Sequence, residues 1–138
     1  MTWIAYALLS ALAAALTAIL SKLGVDGVPP TLATAIRTVV VGVLAWSIVV
    51  KSGKHRHLHA VSQRSLWFLV LSGLATAVSW LAYFRALQMA PASWVAPIDK
   101  LSLPLTVLLA VVWLREPIGW QLVVGVALMM MGAAVTRL

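Results

Sequence analysis

Long apolar stretches separated by short polar segments dominate the chain. Three of these stretches carry no charge, and two are interrupted only by Arg37 and by the pair Asp99 and Lys100. Because a helix needs about 20 apolar residues to cross the hydrocarbon core, the pattern predicts five membrane spans. We place spans 1 to 5 at 3–23, 31–50, 65–88, 93–114 and 117–137. The predicted fold class is an all-α integral membrane protein.

Composition supports a membrane protein and excludes an ordinary soluble one. The chain is 63% hydrophobic and 9% charged, whereas soluble domains carry roughly a quarter charged residues. A net charge of +7 would suggest nucleic acid for a soluble protein, but here the basic residues lie at span ends and in one loop. We therefore expect them to orient the protein in the membrane, without a nucleic-acid partner. The chain has no cysteine, which excludes disulfides and thiolate chemistry.

Two spans carry matched stripes of polar and aromatic side chains at helical spacing. The stripe on span 1 consists of Trp3, Tyr6, Ser10, Thr17 and Ser21, and the stripe on span 3 consists of Ser72, Thr76, Ser79 and Tyr83, with Trp80 and Phe84 beside it. Such stripes place these side chains along one face of each helix. They favour a hydrated path shared by the two helices. The alternative is that the hydroxyls bond their own helix backbone and form a packing seam of small residues.

Span 4 is the least lipid-like part of the sequence. It contains Asp99 and Lys100 between Pro97 and Pro104. An embedded charged pair is costly unless it is paired or wetted, so it is a functional hypothesis by default. Since Pro104 has no N–H, we expect it to leave the carbonyl of Lys100 unpaired and to bend the helix. Transporters place binding sites at such breaks.

Threading five spans through the membrane brings five charged residues into one half of it. These residues are Lys22, Arg37, Arg85, Asp99 and Lys100. A layer of four cations and one carboxylate favours a substrate with negative charge or oxygen acceptors. We expect Asp99 to pair with Arg37 or Lys100. The alternative is an ion-pair set that only holds the helices in register, and Arg37, about 10 Å deep, could also reach the membrane surface.

A basic loop at 51–64 is the main signal for orientation. His55, His57 and His59 alternate in it, but this spacing does not converge on one helical face and no carboxylate or cysteine accompanies them. We predict a solvated basic loop and no metal site. The positive-inside rule then favours an N-in, C-out topology. If the embedded Arg37 and Lys100 are included, the two sides of the membrane carry equal numbers of basic residues. Dual insertion therefore stays open as an alternative.

Span 5 has almost no polar face. Pro117 suits the first position of a helix, and the connection from Arg115 is then very tight. Gly125 and Gly132 lie seven residues apart on one side, which favours close approach of another helix. We expect span 5 to serve as scaffold or dimer contact, with a lipid-facing helix as the alternative.

The order of several short motifs resembles the drug/metabolite transporter superfamily, and specifically a single five-helix EamA-type domain. The matching positions are Tyr83–Phe84–Arg85–Ala86–Leu87, Ala90–Pro91–Ala92–Ser93, Pro104, Arg115–Glu116–Pro117, Gln121, Gly125 and Gly132. The chain differs at Asp99 and Lys100, where many members are apolar. The resemblance covers 1–138 as one domain, half of a ten-helix unit. It implies a dimer, antiparallel or parallel, or a second five-helix chain as partner.

These observations predict a transporter of a small metabolite or drug-like solute that works by alternating access in a prokaryotic cytoplasmic membrane. Spans 1 to 4 would line the path, and no cofactor is expected. The alternative is a non-transporting accessory subunit whose cations bind a phosphate head group of a lipid carrier. An enzyme is disfavoured, because the spans lack paired carboxylates, a His–Asp pair and metal-ligand spacing.

Overall fold

The protein is helical throughout the part that the structure describes. A computed structural model describes residues 2–136, with only the backbone of 57–59. Six α-helices follow in chain order: α1 Trp3–Gly24, α2 Pro30–Lys51, α3 Gln63–Met89, α4 Ala92–Asp99, α5 Ser102–Leu109 and α6 Trp120–Val135. A 3₁₀ helix, Lys54–Ala60, lies between α2 and α3, and a π-helical segment, Ala110–Leu114, follows α5. No strand occurs within residues 2–136, and the all-α fold class is confirmed.

Four helical segments are long and apolar enough to cross a membrane. Within the described residues they are α1, α2, α3 and the stretch Ala92–Leu114, while α6 is a shorter apolar helix. The 22 residues of α1 or α2 span about 33 Å at 1.5 Å per residue, against a hydrocarbon core of about 30 Å. Their large apolar side chains point outward, as at Leu12, which is 70% exposed, and Val40, which is 62% exposed. The chain is therefore a multi-pass membrane protein.

The described chain divides into two compact units. One is Leu20–Gln88, and we call the remainder the terminal unit. In the Leu20–Gln88 unit the most buried apolar residues are Val25, Phe84 and Leu87. Val25 lies in the turn between α1 and α2, where Gly27 has φ +70° and Pro30 begins the next helix. This sign of φ suits glycine, and proline suits a first helical position because its missing N–H needs no partner there.

The fourth span is interrupted in the terminal unit. The α4 helix ends at Asp99, Lys100 and Leu101 form a turn, and α5 begins at Ser102. The prediction that the Lys100 carbonyl lacks a partner is wrong, because it accepts the N–H of Leu103 at 3.0 Å. This hydrogen bond joins residues three apart, as in a 3₁₀ turn, whereas an α-helix joins residues four apart. Pro104 thus lies in the first turn of α5, where its missing N–H costs little.

The start of the last helix also differs from the prediction. Pro117 does not begin it, because residues 115–119 are non-helical and α6 starts at Trp120. Arg115 adopts a left-handed conformation with φ 56° and ψ 35° after the π-helical segment. Gly119 is extended and caps α6. The connection is therefore longer than expected, and α6 has only 16 residues.

Candidate functional site

Arg37 is held by three elements of the Leu20–Gln88 unit. Its guanidinium carbon lies 4.0 Å from the ring centroid of Trp80 and 5.8 Å from that of Phe84. One of its terminal nitrogens donates to the hydroxyl of Ser21 at 3.4 Å. The side chain is half-buried. We call Arg37, Ser21, Trp80 and Phe84 the arginine cage.

Helical spacing explains how the arginine cage assembles. Trp80 and Phe84 are four residues apart on α3, so they present one face. Arg37 lies in the second turn of α2, and Ser21 lies in the last turn of α1. Stacking a guanidinium on an indole contributes on the order of 0.5–2 kcal/mol, and more as water is excluded. The two rings therefore hold the guanidinium beside α3.

The rings do not neutralise the charge of Arg37. Among the side chains that the structure describes, the only ion pair joins Asp99 and Lys100, so Arg37 has no carboxylate partner among them. A guanidinium carries five donors in a fork that matches a carboxylate or phosphate. The arginine cage can thus offer a preoriented cation to an anionic group.

A second set of contacts ties the turn between α1 and α2 to the end of α3. The amide nitrogen of Gln88 donates to the carbonyls of Val25 at 3.1 Å and Val28 at 2.6 Å. The ammonium of Lys22 donates to the carbonyl of Leu87, near the carbonyl-rich end of α3 where a cation is favourable. Arg85 contacts the amide oxygen of Gln88 at 3.4 Å. We call this set the turn clamp, and it holds backbone in place.

Gln88 was not singled out from the sequence, whereas Ser21 and Phe84 were predicted on or beside the stripes without a binding role. Ser21 was on the predicted stripe of span 1, and its spacing from Thr17 was the available signal. Gln88 gave a weaker signal, since an amide at the end of an apolar helix often reaches solvent. Its partners lie 60 and 63 residues away in the chain, which no local pattern reveals.

Stripe hydroxyls on α3 bond within their own helix. The hydroxyl of Thr76 donates to the carbonyl of Ser72 at 2.9 Å. Thr34 and Thr38 on α2 do the same, each with the carbonyl four residues earlier. This is the packing alternative considered for the stripes, although each hydroxyl oxygen still has lone pairs for water. Ser79 is exposed and Tyr83 half-buried on the same face of α3.

The predicted stripe on span 1 lies mostly in the other unit. Tyr6 and Ser10 are exposed and Thr17 is half-buried, and all three belong to the terminal unit. That the two stripes share one path stays a prediction.

Asp99 and Lys100 form an ion pair in the terminal unit. The Lys100 ammonium lies 3.4 Å from an Asp99 carboxylate oxygen, and the two side chains are 57% and 36% exposed respectively. Asp99 is about 11 Å into its span at 1.5 Å per residue. Charges at that depth require water or a protein partner. That Asp99 and Lys100 lie in the same layer of the membrane as Lys22, Arg37 and Arg85 stays a prediction.

Two prolines flank this ion pair. Pro97 is inside α4 and Pro104 is in the first turn of α5. The interruption of the helix therefore falls between them, beside the only ion pair of the described residues.

The two glycines of α6 lie on open surface. A Cβ atom added at Gly125 or Gly132 would meet no atom within 4 Å. Nothing in the described part of the chain covers this strip, so it is available to lipid or to another helix.

Metal ligands do not cluster in the described residues. No group of three His, Cys, Asp or Glu side chains that could hold a metal ion occurs there. The side chains of His57 and His59 lie outside the described residues, so the expectation of no metal site in the loop stays a prediction.

Comparison with known proteins agrees with this architecture. Residues 1–138 match the EamA-like transporter family. A relative from Sinorhizobium sp, named "Uncharacterized transporter in cobO 3'region", is 44% identical over 132 residues, which cover 96% of this chain and 94% of the relative. No solved structure matches the chain. The chain belongs to the EamA-like transporter family of the drug/metabolite transporter superfamily and is a multi-pass membrane transporter.

Proposed function

We propose that this transporter moves a small solute with a carboxylate or similar anionic group by alternating access, and that Arg37 binds that group. The arginine cage carries the proposal, because it holds a cation about 10 Å inside a span. This cation lies over the ring of Trp80 and has no carboxylate partner among the described side chains. An anionic solute would neutralise this charge in a site of low dielectric, where the attraction is strong.

The proposal includes a dimer in the cytoplasmic membrane. The described helices bury few side chains, and a Cβ atom added at Gly125 or Gly132 would meet no atom within 4 Å, which leaves room for a second copy. The match to the relative from Sinorhizobium sp covers 94% of that protein's length, so the likeness is not to one half of a ten-helix protein. Two copies would supply the two halves of a path.

Uptake into liposomes tests the solute class. Purified protein is reconstituted alone, and uptake of a radiolabelled panel of small carboxylates is compared with that of small amines. We expect uptake of one or more carboxylates, a loss of at least tenfold in Arg37→Gln, and partial activity in Arg37→Lys. Arg115→Gln is the matched control, because it removes the same charge at an exposed position outside the helices.

Two results would contradict this function. Unchanged uptake by Arg37→Gln would remove the arginine from the mechanism. A silent wild-type protein that becomes active only with a second chain would favour the accessory-subunit alternative.

Labelling of single cysteines tests alternating access, since the chain has no cysteine of its own. Thr76→Cys lies on the α3 stripe, and Leu74→Cys lies on the opposite face, with Leu74 60% exposed to what would be lipid. We expect a membrane-impermeant maleimide to reach position 76 from either side of the membrane, and position 74 from neither. If the maleimide reaches position 76 from only one side of the membrane, both in the absence and in the presence of transported solute, alternating access is excluded.

A further inference from the structure

The loop between α2 and α3 concentrates exposed positive charge. Lys51, Lys54, Arg56 and Arg64 are all exposed. The three acids of the chain, Asp26, Asp99 and Glu116, lie outside this loop. The loop therefore carries cations and no internal carboxylate to offset them.

Hydrogen bonds hold this loop close to both helix ends. After α2, the N–H groups of Ser52 and Gly53 donate to the carbonyls of Ile48 at 2.9 Å and Val50 at 3.0 Å. Gly53 has φ +67°, which turns the chain into the 3₁₀ helix in the way that a glycine ends many helices. On the other side, the hydroxyl of Ser62 accepts the N–H of Ser65 at 3.1 Å and caps α3. The connection is thus anchored to the ends of both helices.

Aromatic side chains mark the level of that surface. Trp46 on α2 is 53% exposed, and Trp67 on α3 is 63% exposed. Tryptophan is enriched where hydrocarbon meets head groups. Trp46 precedes Lys51 by about 7–8 Å along the helix, and Trp67 follows Arg64 by about 5 Å, at 1.5 Å per residue. The loop cations therefore lie one turn outward, at the level of lipid phosphates.

We propose that the 51–64 loop is a binding surface for anionic phospholipid head groups. Lys54 and Arg56 on the 3₁₀ helix, with Lys51 and Arg64 at its flanks, supply the exposed cations. Lipid phosphate is the partner that the geometry favours, because the loop is short, is anchored at both ends and lies beside the aromatic level. This surface is separate from the arginine cage and does not depend on what the protein transports.

Lipid-selective quenching tests the proposal on the full chain. Val61 is a loop residue that is 44% exposed. The variant Val61→Cys has a single cysteine, and a fluorophore is attached to it. The protein is placed in nanodiscs of phosphatidylcholine that contain spin-labelled phosphatidylglycerol or spin-labelled phosphatidylcholine. We expect stronger quenching by the anionic lipid at low salt, and loss of this preference as salt shortens the screening length.

Paired variants separate charge from folding. In Lys54→Gln/Arg56→Gln the apparent affinity for the anionic lipid should fall roughly fivefold for each cation removed. Lys54→Arg/Arg56→Lys keeps the charge and should behave as the wild type. Equal quenching by the two lipids, or no effect of the Gln pair, would overturn the proposal. So would displacement of the anionic lipid by inorganic phosphate or duplex DNA at matched ionic strength, which would make a soluble anion the ligand.

Discussion

At the scale of single residues, the polar contacts of the Leu20–Gln88 unit fall into two kinds. The turn clamp binds backbone carbonyls of the turn between α1 and α2 and of the end of α3. The arginine cage orients a charge and leaves part of its hydrogen-bonding capacity unused. The first kind is expected to govern stability, and the second kind to govern recognition.

Gln88→Ala should lower the free energy of unfolding by about 1–3 kcal/mol. The substitution removes the donor to two carbonyls, Val25 and Val28, in a partly buried position. Gln121→Ala is the control, because Gln121 is exposed on α6. Thermal unfolding in mild detergent measures both, and equal melting of Gln88→Ala and wild type would contradict the clamp.

Arg37 and Trp80 should be coupled by about 1 kcal/mol. A double-mutant cycle with Arg37→Gln and Trp80→Leu measures this through thermal stability, because leucine removes the ring. The pair Arg64 and Phe68, 5.9 Å apart and exposed, should give a much smaller coupling. Additive effects at the first pair would show that the stacking contributes nothing.

At the scale of elements, the interruptions of the helices carry the departures from regular geometry. The fourth span tightens its hydrogen bonds at Lys100 and Leu101 and resumes as α5. The following connection relies on Arg115 in a conformation that favours glycine. A non-glycine residue there costs on the order of 1–2 kcal/mol.

Arg115→Gly should therefore be more stable than Arg115→Ala by about 1 kcal/mol. Both variants lose the same charge, so their difference reports the backbone alone. In a helix interior the order would be reversed, since glycine is the poorer helix former. Thermal unfolding of the two variants side by side is the measurement, and greater stability of the alanine variant would contradict the left-handed conformation.

Local patterns predicted the elements better than their junctions. The second span, expected at 31–50, is observed at Pro30–Lys51, because apolar length and a leading proline are local signals. The predicted start of α6 is wrong by three residues. Pro117 suits a first helical position, but Arg115 is left-handed and Gly119 is extended, so the helix begins only at Trp120. The Gln88 contacts could not be predicted, because they depend on how α3 meets a turn about 60 residues earlier.

At the scale of the whole molecule, sidedness depends on whether α6 crosses the membrane. Its 16 residues reach about 24 Å at 1.5 Å per residue, short of a 30 Å hydrocarbon core, and thinning or flanking residues can make up the difference. A crossing by α6 gives five spans and places the termini on opposite sides.

Reporter fusions should locate the N-terminus in the cytoplasm and the C-terminus outside. An enzyme active only in the cytoplasm and one active only outside are fused to each end in turn. Activity of both reporters at the C-terminus would instead reveal dual insertion. Cytoplasmic signals at both ends would mean that α6 does not cross.

Dimer contact through α6 should be visible as a disulfide between two copies. Gly125→Cys and Gly132→Cys both lie on the open strip. In a parallel dimer each cysteine should form a disulfide with the same cysteine of the other protomer, because the two-fold axis runs along the helices. In an antiparallel dimer only a position near the crossing point should do so. Met130→Cys is the control, because Met130 is exposed on the opposite face of α6. Absence of cross-linking at both glycines would remove α6 from the interface.

The turn clamp and the arginine cage also bear on how the chain enters the membrane. Their partners on α3 follow α1 and α2 in the sequence, so a nascent chain that has inserted only two helices lacks Trp80, Phe84 and Gln88. At that stage Arg37 has no ring beside it, and the carbonyls of Val25 and Val28 have no amide donor from α3. The first two helices therefore gain these contacts only when the third arrives, which makes the three helices one unit of biogenesis.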